Sequence, residues 1–222
     1  MMGIFFSILS VYLAQKQNFV FLLIGSIILA LSMGIYQAYL VVAMVLCVSM
    51  LMFYILLEKT DKRSLIKLFL RYIFMGSVGV VLYFVILEFF LNYYQINLSS
   101  YRGINETGSF SSILLSLKSI PSTWKYFIDF LFTSSIWNWG EFFNFLYIIL
   151  TALFVIGVLA LSICSRSKFT ISCTIFFFAI IPLIFSAMKL LAPSTSISPL
   201  MLTSYALFIP ISLIFIYSSS GK

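Results

Sequence analysis

From Phe19 to Leu57 the chain reads FVFLLIGSIILALSMGIYQAYLVVAMVLCVSMLMFYILL, without one charged side chain. At a helical rise of 1.5 Å per residue this run would extend about 58 Å, nearly twice the roughly 30 Å hydrocarbon core of a bilayer. It must therefore fold back once. The only polar break in it is Ser32-Met33-Gly34-Ile35-Tyr36-Gln37, so the reading predicts helices over Phe19–Ser32 and Tyr39–Leu57 joined by a tight turn.

Working outward, the same criterion predicts spans at Tyr72–Leu91, Phe142–Cys164, Phe169–Leu190 and Leu202–Tyr217, with Pro182 expected to kink one of them. Met1–Ala14 is apolar but short. It reads either as a short or tilted first helix, or as a chain that begins part-way through a helix of a longer parent. Composition supports a lipid solvent throughout: 222 residues, 63% hydrophobic, 9% charged, mean hydropathy +1.15, against about 25% charged in soluble domains. The expected fold is all-α, a polytopic transmembrane helical bundle of about six to seven spans, with residues 1–222 as a single transmembrane domain.

The same counts exclude several chemistries. With no histidine there is no Ser-His-Asp or Cys-His catalysis and no His-ligated zinc. Cys47, Cys164 and Cys173 are odd in number and lack CxxC spacing, so neither a disulfide framework nor a metal knuckle is implied. The net charge of +7 comes from scarce acids and not from a dense basic patch, which argues against a nucleic-acid partner. No Gly-rich phosphate loop, DxD pair or GxSxG occurs, and no metal or cofactor is expected.

Positive residues stay on the cytoplasmic side of short loops. Placing the densest cluster, Lys59, Lys62, Arg63, Lys67 and Arg71, inside also puts Lys16, Arg166, Lys168 and Lys222 inside by simple alternation. Nine of the 13 basic residues and two of the six acids then lie inside, and the outer side is neutral. The carboxyl terminus is expected to be cytoplasmic, and the Tyr36-Gln37 turn, residues 92–141 and the Pro193–Pro199 loop face outward.

Residues 92–141 are too polar to span and too aromatic for a solvated linker. Their Gly, Asn and Ser content near Ser99–Gly108 reads as a turn-rich loop. Beyond Pro121, Ser122 is expected to cap an interfacial helix with Trp124, Phe127, Ile128 and Leu131 on one face and Lys125 and Asp129 on another. Trp137 and Trp139 would serve as belt anchors. Ionisable groups gather at this side: Glu88, Glu141, Lys189, Arg102 and Glu106. Few polar groups lie in the cytoplasmic half of the spans, which argues against a conducting path. A polar site facing outward is expected, although Glu88 or Lys189 taken singly also suits plain snorkelling to the interface.

The segment Ser32-Met33-Gly34-Ile35-Tyr36-Gln37-Ala38-Tyr39, with Arg71-Tyr72 opening a span, Leu82-Tyr83 inside it and Tyr101-Arg102-Gly103-Ile104-Asn105 in the outer loop, resembles the bacterial GtrII-type glucosyltransferases. The resemblance runs from about Phe19 to the Pro193 loop. It implies a GT-C-like glycosyltransferase in the bacterial plasma membrane. Such an enzyme moves a sugar, glucose by the resemblance, from a polyprenyl-phosphate carrier to a cell-surface polysaccharide on the outer face.

On that reading Tyr36 and Gln37 line the outer mouth, Arg102 and Lys189 meet the carrier phosphate, Asn105 with Glu106 bond sugar hydroxyls, and Tyr101 is a further substrate-binding residue. No catalytic residue is assigned. Families of this architecture carry acidic residues in a first outer loop, and nothing before Glu58 is acidic. The expectation is a carboxyl-terminal portion of a longer enzyme, without its general base. Two alternatives stay open: a polysaccharide polymerase or lipid-linked oligosaccharide transporter, and a non-catalytic membrane subunit.

Overall fold

The computed structural model describes residues 2–57, 61–95, 118–132, 140–164, 167–187 and 203–220. All regular structure among them is helical: α1 Met2–Gln15, α2 Phe19–Ile35, α3 Tyr39–Leu56, α4 Lys62–Tyr94, α5 Ile120–Phe132, α6 Gly140–Cys164, α7 Lys168–Phe185, α8 Thr203–Ala206 and α9 Phe208–Ser220. Three of these helices, α3, α4 and α7, are long and apolar enough to cross a bilayer. The apolar cores of α1, α2, α6 and α9 are shorter, so among the described residues three spans meet the length criterion where six to seven were expected.

The predicted turn is where the apolar run reverses. α2 continues three residues beyond Ser32 to Ile35 and is capped by Tyr36, whose extended backbone still donates its N–H to Ser32 O. After two turn residues the chain re-enters α3. At the other end of α2, the Asn18 side chain accepts from Val20 N at 3.0 Å, satisfying a donor that helical geometry leaves open.

α3 is the hub. It packs against α1, α2 and α4 on one side and α6, α7 and α8 on the other, and half of its spanning window is buried against 17% of that of α4. α4 instead shows one narrow buried stripe, Leu65, Tyr72, Met75, Gly79 and Tyr83, at helical spacing. Its remaining faces carry exposed Ile73, Val81, Phe84 and Val85, a surface suited to lipid.

Several boundaries differ from the sequence reading, each for a local reason. α4 begins at Lys62, ten residues before Tyr72, because the Asp61 side chain caps it by accepting from Arg63 N; the intervening Lys, Arg and Leu are good helix formers. Its last turns absorb Asn92–Tyr94, and Gln95 closes it in the left-handed conformation at φ 51°. The final span is broken at Leu207 into α8 and α9. Pro210 is the cause: it has no N–H for the carbonyl one turn back, and its ring clashes there. Pro182 lies in the last turn of α7, which ends at Phe185 instead of running on to Leu190.

α5 forms where an interfacial helix was expected but starts at Ile120. Pro121 sits in its first turn, where no N–H is needed. Ser122 therefore does not cap it: its hydroxyl donates back to Ser119 O at 2.8 Å, as does that of Thr123. The buried stripe is Thr123, Phe127 and Phe130, with Ile128 exposed and Trp124 half-buried. Lys125 and Asp129 are exposed as expected.

Candidate functional site

Two of the seven predicted binding residues, Tyr36 and Gln37, lie in described structure; Tyr101, Arg102, Asn105, Glu106 and Lys189 lie outside the described residues. Glu141 falls in α6, but its side chain is likewise outside them. The site can thus be built from one wall, the α2–α3 turn and what holds it.

Helix packing places that turn. Gly3 of α1 faces the Tyr39 ring so closely that a Cβ there would lie 2.1 Å from the ring carbon. One turn along, Ser7 Oγ lies 2.9 Å from Ser32 Oγ and donates to Tyr39 O at 3.0 Å, and Ser32 Oγ donates to Gly3 O at 2.7 Å. Both serines are fully buried. These bonds staple the start of α1 to the end of α2 and the start of α3.

Above this staple, Tyr36 and Tyr39 meet edge to face with centroids 5.8 Å apart, a favourable arrangement for aromatic quadrupoles. Tyr39 is buried and Tyr36 half-buried. The Gln37 Nε2 donates to the Tyr83 hydroxyl at 2.7 Å, which ties the turn to α4. In this geometry the Gln37 carbonyl oxygen and the Tyr83 O–H both keep hydrogen-bonding capacity. An acceptor beside a donor, flanked by the ring of Tyr36, is a combination that can bond sugar hydroxyls and stack on a pyranose face.

Tyr83 was not singled out as a site residue by sequence reasoning. It appeared only within a short motif, because its partner is 46 residues away and the pairing exists only once α2 and α4 pack. Its place in the buried stripe of α4, at four-residue spacing from Gly79, is the one signal that pointed to it. Glu88, five residues on, is exposed and lies on a different face of α4 from Tyr83, as a snorkelling side chain would.

Beyond Tyr83 the last turns of α4 expose stacked aromatics, Phe89 on Tyr93 and Phe90 on Tyr94, each 6.2 Å between centroids. On α5, burial pushes the Tyr126 phenol above its ordinary pKa. A crevice between α3, α7 and α9, lined by Val45, Ser49, Ile184 and Phe208, has room for about one water at ≈ 10 Å³, too little for a sugar ring. Among the described residues no three His, Cys, Asp or Glu side chains gather.

A family model described as glucosyl transferase GtrII matches residues 1–211 of the chain. No curated protein and no solved structure matches it.

Proposed function

The chain belongs to the glucosyl transferase GtrII family, and from that premise we propose that it transfers glucose from a polyprenyl-phosphate carrier to a polysaccharide at the outer face of a bacterial plasma membrane. The family membership makes it a membrane glycosyltransferase with a sugar donor and an acceptor. The finer reading rests on where the polar groups collect.

The observation that carries it is the bond from Gln37 to Tyr83 at a turn flanked by Tyr36. With the basic loops inside, this turn opens to the outer leaflet, where a lipid-linked donor is reachable and a soluble nucleotide sugar is not. Tyr36 stacks on the sugar, and Gln37 with Tyr83 bonds its hydroxyls. Arg102 and Lys189 offer permanent positive charge to the carrier phosphate. Asn105 and Glu106 complete the hydroxyl contacts, and Tyr101 the aromatic lining. The GT-C-like arrangement, the six-to-seven-span topology and the outward exposure of residues 92–141 belong to the same proposal.

Linkage analysis of the surface polysaccharide tests this reading. Deleting the gene should remove one glucosyl branch, and Gln37→Ala and Arg102→Ala should each reduce it at unchanged protein level. An intact polysaccharide in the deletion strain would overturn the activity. Full branching in both point variants would overturn the site.

A further inference from the structure

At the opposite end of the bundle from Tyr36, the Arg71 side chain reaches over to the α1–α2 loop. Its guanidinium donates to Ala14 O at 2.8 Å, to Gln17 O and Asn18 O at 3.1 Å each, and to Lys16 O. Cation and carbonyls are well matched, since the end of α1 carries unpaired carbonyls and a negative dipole end. This contact also fixes the loop's level on α4. Nine residues of α4, Lys62–Leu70, precede Arg71, so α4 continues about 13 Å past the loop. The α1–α2 loop is therefore the floor of a recess, and the first turns of α4 are its wall.

The wall is charged in register. Arg63, Lys67 and Arg71 follow at intervals of four, which sets them one above another on a single helix face. Arg71 is bonded to the floor. Arg63 and Lys67 are exposed, and neither side chain pairs with an acidic group among the described residues; Asp61 is committed to the backbone N–H of Arg63. Lys16, at the floor, is engaged elsewhere, its ammonium held 4.7 Å over the exposed Tyr12 ring of α1. Directly below, toward the middle of the bundle, the surface turns apolar: Phe19 and Phe74 meet at 5.8 Å, and Leu70 and Ile73 are exposed beside them. A basic recess opening above a lipid-facing apolar strip matches one kind of occupant, a phosphate head group with acyl chains attached.

We propose that this recess seats the head group of an anionic membrane phospholipid, with Arg63 and Lys67 meeting the phosphate and Phe19, Leu70 and Phe74 lying along its acyl chains. The site lies at the far end of α4 from Tyr83. It is built on the α1–α2–α4 unit alone, and its validity is independent of the sugar-transfer reading. Each basic side chain near a membrane surface strengthens attraction for anionic lipid by about fivefold.

The test uses the full chain reconstituted in vesicles of equal parts phosphatidylcholine and phosphatidylglycerol, extracted gently, with the co-purified lipids counted by native mass spectrometry. The wild-type chain should retain phosphatidylglycerol at about fivefold or more over the bulk ratio, falling as salt rises. Arg63→Gln/Lys67→Gln should bring retention to the bulk ratio, and so should Lys67→Glu alone. Lys118→Gln/Lys125→Gln, at the exposed basic residues around α5, should leave it unchanged. Thermal unfolding in pure phosphatidylcholine should be the same for all variants. Enrichment that survives Arg63→Gln/Lys67→Gln overturns the site. Displacement of the lipid by millimolar inorganic phosphate, or replacement of its signal by a co-purifying protein bound through the same residues, overturns the assignment of a lipid.

Discussion

The two halves of the bundle are held together by opposite means. Where α1, α2 and α4 meet, the contact is made of small residues: Gly25 against Ser10 O, Gly79 against Ser26 O and Leu29, and Ser7 against Ser32. Where α5, α6, α7 and α8 meet, it is made of rings, with Tyr205 stacked at 6.0 Å on Phe127 and edge to face at 5.7 Å with Phe185, and Tyr147 donating to Tyr205 O. In lipid there is no hydrophobic drive between helices, so association comes from packing and hydrogen bonds. The first half obtains it from backbone proximity, the second from side-chain volume. A seam at Gly25 and Gly79 lets the backbones of α1, α2 and α4 approach closely, and it is this half that carries the Gln37–Tyr83 pair.

The comparison breaks most plainly at Tyr205. It is only 1% exposed, and its hydroxyl shares a hydrogen bond with Ser186 Oγ. Tyr205→Ala should cost about 3–5 kcal/mol by leaving a ring-sized void, read as a lower unfolding midpoint in detergent or vesicles. Tyr205→Phe keeps the volume and loses only the bond to Ser186, and should cost about 1 kcal/mol. If the two variants were equally damaging, hydrogen bonding and not volume would be what holds this half together.

Next in size is Gly79→Leu. A Cβ at Gly79 already lies 3.0 Å from Leu29 Cδ2 and 3.2 Å from Ser26 O, so a larger side chain must push α2 and α4 apart, at about 1–3 kcal/mol. Gly76, three residues earlier, has nothing within 4 Å of its would-be Cβ, and Gly76→Leu should be close to silent. The separation forced by Gly79→Leu also stretches the Gln37–Tyr83 bond one turn away. Glucosyl transfer should therefore fall further in this variant than in Tyr205→Ala at matched folded protein.

The seam and the ring core were not equally legible. Uncharged length placed α2, α3 and the turn between them, because lipid forces every backbone group into a helix and one unbroken helix of that length would overrun the hydrocarbon thickness. The early start of α4 was hidden by charge: Lys62, Arg63 and Lys67 resemble a loop until Asp61 is seen as a cap. The break between α8 and α9 was readable in Pro210, but it lay inside an apolar run whose length pointed to one span. The pairing of Tyr83 could not be found from local pattern, since it depends on Gln37 being carried to it by the α2–α4 contact at Gly79. The turn at Tyr36 and Gln37 was legible because a polar pair interrupts an otherwise uncharged run.

The smallest expected effect sharpens the comparison. Ser7→Ala removes the hydroxyl between Ser32 and Tyr39 O yet leaves Ser32 bonded to Gly3 O. Interhelical hydrogen bonds within membranes are worth on average about 0.6 kcal/mol, so the unfolding midpoint should hardly move. Activity should respond more than stability, because the Ser7 bond to Tyr39 O fixes the first residue of α3, two positions from Gln37. A loss of sugar transfer with a raised KM at near-normal stability would identify the seam as a device for placing the turn. Equal, small effects on both would make it packing alone, and the difference between the two halves would then concern stability only.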